Sequence, residues 1–352
     1  MKVLHIIPTL GVGGAESFVV DLSLEQHKMK VNVSILTLFG VRGVKGGALI
    51  SKLDGRVSVI DASCRNKIFS VLFALLKILS IRDYFIHVHL EPSEKFIYIY
   101  YIIGLIQRNK FFLTIHNSKF NNSRVIFFLR NLIYSKIIFC NKYSYEKYML
   151  SNNYIFNYSY VNNGVSSVEF CLPKSKNDIY KFICIAGFRG ESLDESQKNQ
   201  KFLIQTISHL NIDNVELLLI GDGPTKNQAV ELSKSFNSEN KIKFLGNLDN
   251  PFAYFDDKSF LVISSRYEGL PIVLLEAVAR NIRVISCDLP EILSLNIDGV
   301  LFYKNNNPSS FIALVEEIIK SSMKSNFIYQ SIQSYSMSNC ALNYQNCYLN
   351  IK

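Results

Sequence analysis

Twice along this chain, on either side of a polar, Pro-containing stretch at 166–178, short apolar runs rich in β-branched residues alternate with helical segments. The first set runs VLHIIPT, a helix from Ala15, VNVSILTL, a helix near 68–80, FIHVHL, FFLTIH, KIIFC and YSYVNNG. The second runs KFICIAG, VELLLIG, KIKFLG, SFLVISS and RVIS. Runs of this kind read as strands buried on both faces, and parallel strands of that sort need crossover helices between them. With 352 residues the chain exceeds what one core serves. The expected fold is α/β, two doubly wound Rossmann-like parallel-sheet domains at 1–165 and 179–325, joined by a linker at 166–178 and facing each other across a cleft. A helix SSFIALVEEIIKSS is expected after Pro308, and 326–352 is read as a C-terminal helical segment.

The charge is divided unevenly between these halves. Residues 1–165 carry 20 Lys and Arg against 9 Asp and Glu, net +11, and residues 166–352 carry 18 against 20, net −2. In the first half the basic residues are scattered among Phe, Tyr and Ile in no stripe or reader motif, which argues against a nucleic-acid partner. An anionic membrane surface or a pyrophosphate-linked lipid fits better, each basic residue near such a surface being worth about 1 kcal/mol. No apolar run reaches the roughly 18–20 residues of a spanning helix. Ile68–Ile81, IFSVLFALLKILSI, places Ser70, Ala74, Lys77 and Ser80 on one stripe and is flanked by Arg65, Lys67 and Arg82. It fits an interfacial helix and, preferentially, a buried crossover helix. Phe96–Ile106 is too short to span, and Asn121–Lys142, with Arg124, Arg130 and Lys136, poses the same choice. Seven cysteines without C-x-x-C spacing suggest reduced thiols in the cytosol. Pro8 and the following glycines interrupt the N-terminal apolar run before a signal-peptide core forms.

The most chemically specific stretch is SRYEGLPIVLLEA, Ser265–Ala277, in which seven residues separate Glu268 from Glu276. It follows the strand SFLVIS, and Pro271 suits the first turn of the helix that comes next. Ligands of open α/β sheets bind beyond the carboxyl ends of the strands, and helix N-termini favour anions. Two carboxylates there can accept hydrogen bonds from vicinal hydroxyls, while the backbone N–H groups of Gly269 and Leu270 take charge, a combination that describes a sugar joined to a phosphate. A second reading makes Glu268 a helix cap and Glu276 a solvated helix residue.

This segment resembles the E-x7-E signature of the retaining glycosyltransferases of family 4, which have the two-domain GT-B fold. KVLHIIPTLGVGGAES resembles that family's first strand and glycine loop, NNGV at Asn162–Val165 its pre-linker element, and LLLIGDGP and FLG its next strand ends. The resemblance spans about residues 1–320. It implies that Glu268 binds donor-sugar hydroxyls and Glu276 the nucleotide ribose, and that a C-terminal helix crosses back onto the first domain. It implies a donor-contacting histidine at His116, in the family's T-x-H element, and a phosphate-binding lysine at Lys198. Arg189 is displaced from the family's arginine position, and either reaches the phosphates or decorates the loop AGFRGESLDESQKNQ.

Gly13 and Gly14, after Gly11, offer close backbone approach to a diphosphate or acceptor, and Gly246 ends a strand of the donor-binding half. Glu16 stands where a dinucleotide-binding loop wants a third glycine, which demotes an oxidoreductase. His87 and His89 alternate onto one strand face and could bind a metal, but no third ligand suggests itself, so packing is preferred. Nothing reads D-x-D, so no metal or other cofactor is expected and positive side chains must hold the diphosphate. The expectation is a metal-independent hexosyltransferase, retaining, with Glu268, His116 and Lys198 as its catalytic residues. It would move a hexose or N-acetylhexosamine from a nucleoside diphosphate sugar, UDP favoured, to a lipid-linked saccharide of O-antigen or capsule, on the cytoplasmic face of an inner membrane. The alternatives are a sugar-nucleotide 2-epimerase of the same fold and a non-catalytic nucleotide-sugar or membrane-binding protein.

Overall fold

A computed structural model describes residues 1–350 apart from 12, 42, 82, 103–109, 118–122, 152–156, 167, 169 and 326. Two compact units emerge, residues 1–166 with 335–352, and residues 167–334. The return to the first unit begins at Tyr335, so 326–334 stay with the second unit and the boundary falls later than the expected 325. Parts of the expected linker and the stretch beyond Ile102 lie outside the described residues.

The first unit holds strands β1 (Lys2–Ile7), β2 (Asn32–Thr37), β3 (Ser58–Asp61), β4 (Phe85–His89), β5 (Lys110–Ile115), β6 (Lys136–Phe139) and β7 (Tyr158–Tyr160). Its helices are α1 (Gly14–Lys28), α2 (Gly43–Leu53), α3 (Lys67–Ser80), α4 (Glu91–Ile102), α5 (Arg124–Ile133) and α6 (Lys142–Ser151). All its strands pair parallel in the order β3-β2-β1-β4-β5-β6-β7. The order reverses between β1 and β4, where a doubly wound sheet opens a ligand crevice at its carboxyl edge. One face buries Leu4, Ile6, Ile86, Val88 and Leu113 against Ala74, Ile78, Phe96 and Tyr100.

The second unit continues with β8 (Tyr180–Ile185), α7 (Gln200–Ser208), β9 (Val215–Ile220), α8 (Lys226–Ser235), β10 (Ile242–Gly246) and β11 (Ser259–Ile263). There follow α9 (Ile272–Val278), β12 (Val284–Cys287), α10 (Pro290–Leu293), β13 (Leu301–Tyr303) and α11 (Pro308–Lys320). Its sheet is also parallel, in the order β10-β9-β8-β11-β12-β13, and its reversal falls between β8 and β11.

The last helix, α12 (Met337–Leu349), packs on α1 of the first unit. It enters through backbone bonds that join Val165 to Tyr335 and Met337. A Cβ on Gly164 would lie 2.7 Å from both Met337 Cα and Cys340 Cβ, which is the physical reason for a glycine in NNGV.

Two readings of the first unit's helices are corrected. The preferred buried form of α3 holds only for one stripe. Ser70, Ala74, Leu75 and Ile78 pack inward, while Ile68 is 74% and Phe69 61% exposed and Leu72, Phe73 and Leu76 also face outward. On α5, for which the same choice was open, Val125, Phe128 and Leu132 are exposed, whereas Arg130 is buried. It makes a two-pronged ion pair with Glu94, Nε to Oε1 at 2.6 Å and Nη2 to Oε2 at 2.9 Å.

Candidate functional site

In the second unit the loops after β8 and β11 meet at the sheet's reversal. Glu268 follows β11 and is 5% exposed. Its Oε1 accepts from Lys198 Nζ at 2.6 Å and from Ser265 Oγ at 2.5 Å. Its Oε2 accepts no hydrogen bond among the described residues, so the carboxylate is held through one oxygen and presents the other. A buried ionised carboxylate needs such partners, since isolated burial costs far more than a hydrogen bond. Glu268 N–H donates to Glu291 Oε1 on α10 at 2.8 Å, which fixes the backbone that carries the carboxylate.

Lys198 is held as firmly. Arg266 N–H donates to Gln197 O at 2.8 Å, Gln197 Nε2 to Tyr267 O at 2.9 Å, and Ser264 Oγ to Lys198 O at 2.8 Å. Asn199, at φ +52° in the left-handed region open to Asn, turns the chain into α7. The short loop SSRYE and the loop SQKN are thereby stitched into one surface. Burial pushes the neighbouring thiols Cys184 and Cys287 up to about 12, so near Glu268 they stay protonated at neutral pH.

Gly221 and Gly223, after β9, stand at φ +145° and +152°. A Cβ on them would lie 2.1 Å from Ala186 O and 2.2 Å from Phe188 O, so both must be glycine for this loop to pack on the one after β8. Gly246 ends β10 at φ +68° and accepts from Gly221 N–H at 2.8 Å. Arg189 is exposed in the loop after β8. Gly269 and Leu270 lead into α9, where Pro271 is the capping residue and the helix proper starts at Ile272. Glu276 is half-buried on α9, and its carbonyl accepts from Arg280 Nη1 at 2.8 Å.

The first unit carries the remaining predicted residues. Gly13 caps α1, and the space a Cβ would fill there belongs to the Glu16 carboxylate, with Oε2 at 1.7 Å from that position. Of the two ligands read for Gly13 and Gly14, a carboxylate beside the glycine loop suits an acceptor hydroxyl better than a diphosphate. His116 follows β5 and lines a cavity of about 440 Å³ with Pro8, Leu90, Tyr98, Asn117 and the Glu94–Arg130 pair. Its Nε2 is 3.0 Å from His89 Nδ1. Burial lowers the pKa of His116 to about 4, so its ring is neutral at pH 7. A third imidazole does stand near His87 and His89, contrary to the reading from sequence, for His5 of β1 lies opposite His87 and these rings place ligand atoms within 4.8 Å of one another.

Ser265, Gln197, Arg266 and Glu291 were not singled out in the sequence. The first three lie in or beside the motif segments and carried no chemistry of their own there; Glu291 is 23 residues from Glu268, at a distance no motif spans.

Residues 193–334 match the family of glycosyl transferases group 1. Among relatives, the chain is 26% identical over 330 residues, 86% of itself and 84% of the relative, to a Campylobacter jejuni GalNAc-alpha-(1->4)-GalNAc-alpha-(1->3)-diNAcBac-PP-undecaprenol alpha-1,4-N-acetyl-D-galactosaminyltransferase. It is 25% identical over 321 residues, 84% of each chain, to the Staphylococcus aureus capsular polysaccharide biosynthesis glycosyltransferase CapH. Two matches of higher identity, 38% and 31%, span only 23% and 36% of those relatives' own length. Among solved structures, Anabaena HepE in complex with UDP-glucose superposes with a TM-score of 0.79 at 15% identity, covering 99% of both chains. That likeness shows the fold, which is GT-B.

Proposed function

This chain carries a glycosyl transferases group 1 domain, and from that premise we propose that it is a retaining, metal-independent glycosyltransferase of surface-polysaccharide assembly. Its donor is a nucleoside diphosphate sugar, UDP favoured, and its acceptor a hydroxyl of a lipid-linked saccharide. The observation that carries the reading is the Glu268 carboxylate at the β8/β11 reversal, with Oε1 held by Lys198 and Ser265 and Oε2 open as an acceptor. Hydroxyls of a sugar donate to such an oxygen, and Lys198 is the cation at hand for the diphosphate joined to that sugar.

In this reading the bond from the anomeric carbon to the phosphate oxygen breaks with oxocarbenium character. Lys198 and Arg189 hold the departing diphosphate, and the leaving phosphate oxygen accepts the proton of the acceptor hydroxyl on the same face. Glu276 takes the ribose hydroxyls. The C. jejuni relative, whose name gives a PP-undecaprenol acceptor, supports a lipid-linked acceptor here, and the HepE complex supports UDP. No helix among the described residues is long and apolar enough to cross a membrane. The outward Ile68, Phe69, Leu72 and Leu76 of α3, with Arg65, Lys67 and Lys77 close in sequence, support peripheral attachment to an anionic bilayer, which we assign to the cytoplasmic face.

Thermal unfolding of the protein with UDP, GDP, ADP or CMP, without added metal, tests the donor assignment. UDP is expected to raise Tm, and Glu276→Ala to remove that rise. No stabilisation by any nucleoside diphosphate would overturn it.

A further inference from the structure

The face of the first unit's sheet opposite its apolar core holds polar rings sealed from water. His5, His87 and His89 are 0% exposed, as is Gln26 on α1. Starting at the cavity, His116 Nε2 meets His89 Nδ1 at 3.0 Å, His89 Nε2 meets His5 Nδ1 at 2.9 Å, and His5 Nε2 meets Gln26 Oε1 at 2.8 Å. Gln26 Nε2 donates to Tyr348 Oη of α12 at 3.4 Å, and Tyr348 Oη lies 2.7 Å from His87 Nδ1. His87 Nε2 meets Thr114 Oγ1 at 2.6 Å, and Thr114 Oγ1 lies 3.3 Å from Tyr344 Oη.

Both nitrogens of His5, His87 and His89 are thus engaged, and among the described residues no carboxylate joins them to offset a buried dication. The cluster therefore reads as a hydrogen-bonded chain and not as a metal site. One set of protons satisfies every contact. A carbonyl oxygen only accepts, so Gln26 Oε1 requires a proton on His5 Nε2, which makes the neutral His5 Nδ1 an acceptor. His89 must then carry its proton on Nε2 and accept at Nδ1, so His116 must carry its proton on Nε2. On the other branch Gln26 Nε2 donates to Tyr348, Tyr348 to His87 Nδ1, His87 Nε2 to Thr114, and Thr114 to Tyr344. Turning the Gln26 amide over would reverse every one of these bonds, so Gln26 sets the direction of the whole chain.

We propose that Gln26, His5 and His89 are positioning residues that hold His116 in its neutral Nε2–H form, so that its Nδ1 lone pair faces the cavity as a hydrogen-bond acceptor for a saccharide hydroxyl. His116 Nδ1 has no hydrogen bond among the described residues, and the ring lines that cavity. Burial keeps the chain uncharged, with His5 lowered to about 4 and His87 and His89 well below their ordinary value. A neutral acceptor selects a hydroxyl and gives no attraction to phosphate. The saccharide rests on the glycosyltransferase reading; the proton arrangement does not.

The test is long-range ¹⁵N–¹H correlation NMR of histidine-labelled full-length protein, without ligand, at pH 7, with the exposed His27 and His209 as references. His116 is expected as a single Nε2–H form and His209, whose Nδ1 donates to Gln205 O at 2.7 Å, as an Nδ1–H form, while His27 shows mixed tautomers. Gln26→Met should turn His116 into a mixture. Gln26→Glu, which still accepts from His5, should keep the Nε2–H form and decides the matter if the Met variant does not fold. An Nδ1–H His116 in the wild type, or a tautomer unmoved in Gln26→Met, overturns the relay. With a UDP-sugar donor, Gln26→Met should lower transfer about tenfold at unchanged UDP affinity; unchanged transfer overturns the presentation of Nδ1. Because the spectra are taken without ligand, failure of the relay and failure of the nucleotide-sugar reading are separately visible.

Discussion

The two units hold polar groups at their strand ends in opposite ways. In the second, a lysine and a carboxylate bond directly to each other, and the loops that carry them are pinned by backbone and short side-chain bonds. In the first, imidazoles, an amide and phenols form an uncharged chain inside the protein, closed by a helix from the far end of the sequence. A carboxylate is stable at Glu268 because Lys198, itself 30% exposed, meets it at 2.6 Å. At His5 no water reaches, and only a neutral ring with both nitrogens bonded is stable there.

Three measurements would break or sharpen that contrast. The largest effect belongs to Glu268→Ala, expected to lower transfer by about 10²–10³, the loss typical of removing one polar group matched to the reacting sugar. Nucleotide affinity, read from the UDP shift in Tm, should stay within about threefold; equal losses in both would show Glu268 to be a scaffold for Lys198 only.

Next comes acid. Above pH 6.5 the buried rings are neutral in both folded and unfolded chains. As pH falls from 6.5 toward 4, the unfolded chain binds protons that folded His5 and His116 refuse, so stability is lost across that window. His5 alone is worth roughly 3 kcal/mol by pH 4. Urea unfolding at pH 7 and pH 5 measures it, and His5→Asn should flatten the slope. Stability that does not fall between these pH values would mean that the rings can protonate in the folded protein.

The smallest effect is expected on α3. Phe69→Ser with Leu76→Ser should leave Tm almost unchanged, because these side chains are more than half exposed, yet reduce sedimentation with anionic vesicles several-fold. A large drop in Tm would make that face part of the fold.

How much was legible follows the same division. Glu268 and Lys198 belong to motifs whose chemistry is carried by adjacent residues in a loop after an apolar strand, and the strand signal places such loops at the sheet's edge. Most strands also stood out as β-branched runs. β3, SVID, did not, being four residues long with only two apolar side chains. The two sides of α3 could not be told apart because helical periodicity identifies stripes without saying which stripe the sheet can accommodate. The burial of Arg130 was not legible because its partner Glu94 is 36 positions away. His5 was invisible as a partner of His87 and His89 for the same reason, since the register of β1 against β4, not any local pattern, brings them together.

The docking of α12 has a further consequence for how this protein is made. Synthesis delivers residues 1–166 first, then the whole second unit, and only afterwards the helix bearing Tyr344 and Tyr348. Until then His87 and Gln26 lack their phenol partners and Gly164 faces no helix. On the ribosome the first unit is therefore an incomplete folding intermediate, with part of its interior open while the second unit folds as a self-contained body. A chain that stalls before position 348 would carry a finished second unit beside a first unit that chaperones and proteases can still recognise as unfinished.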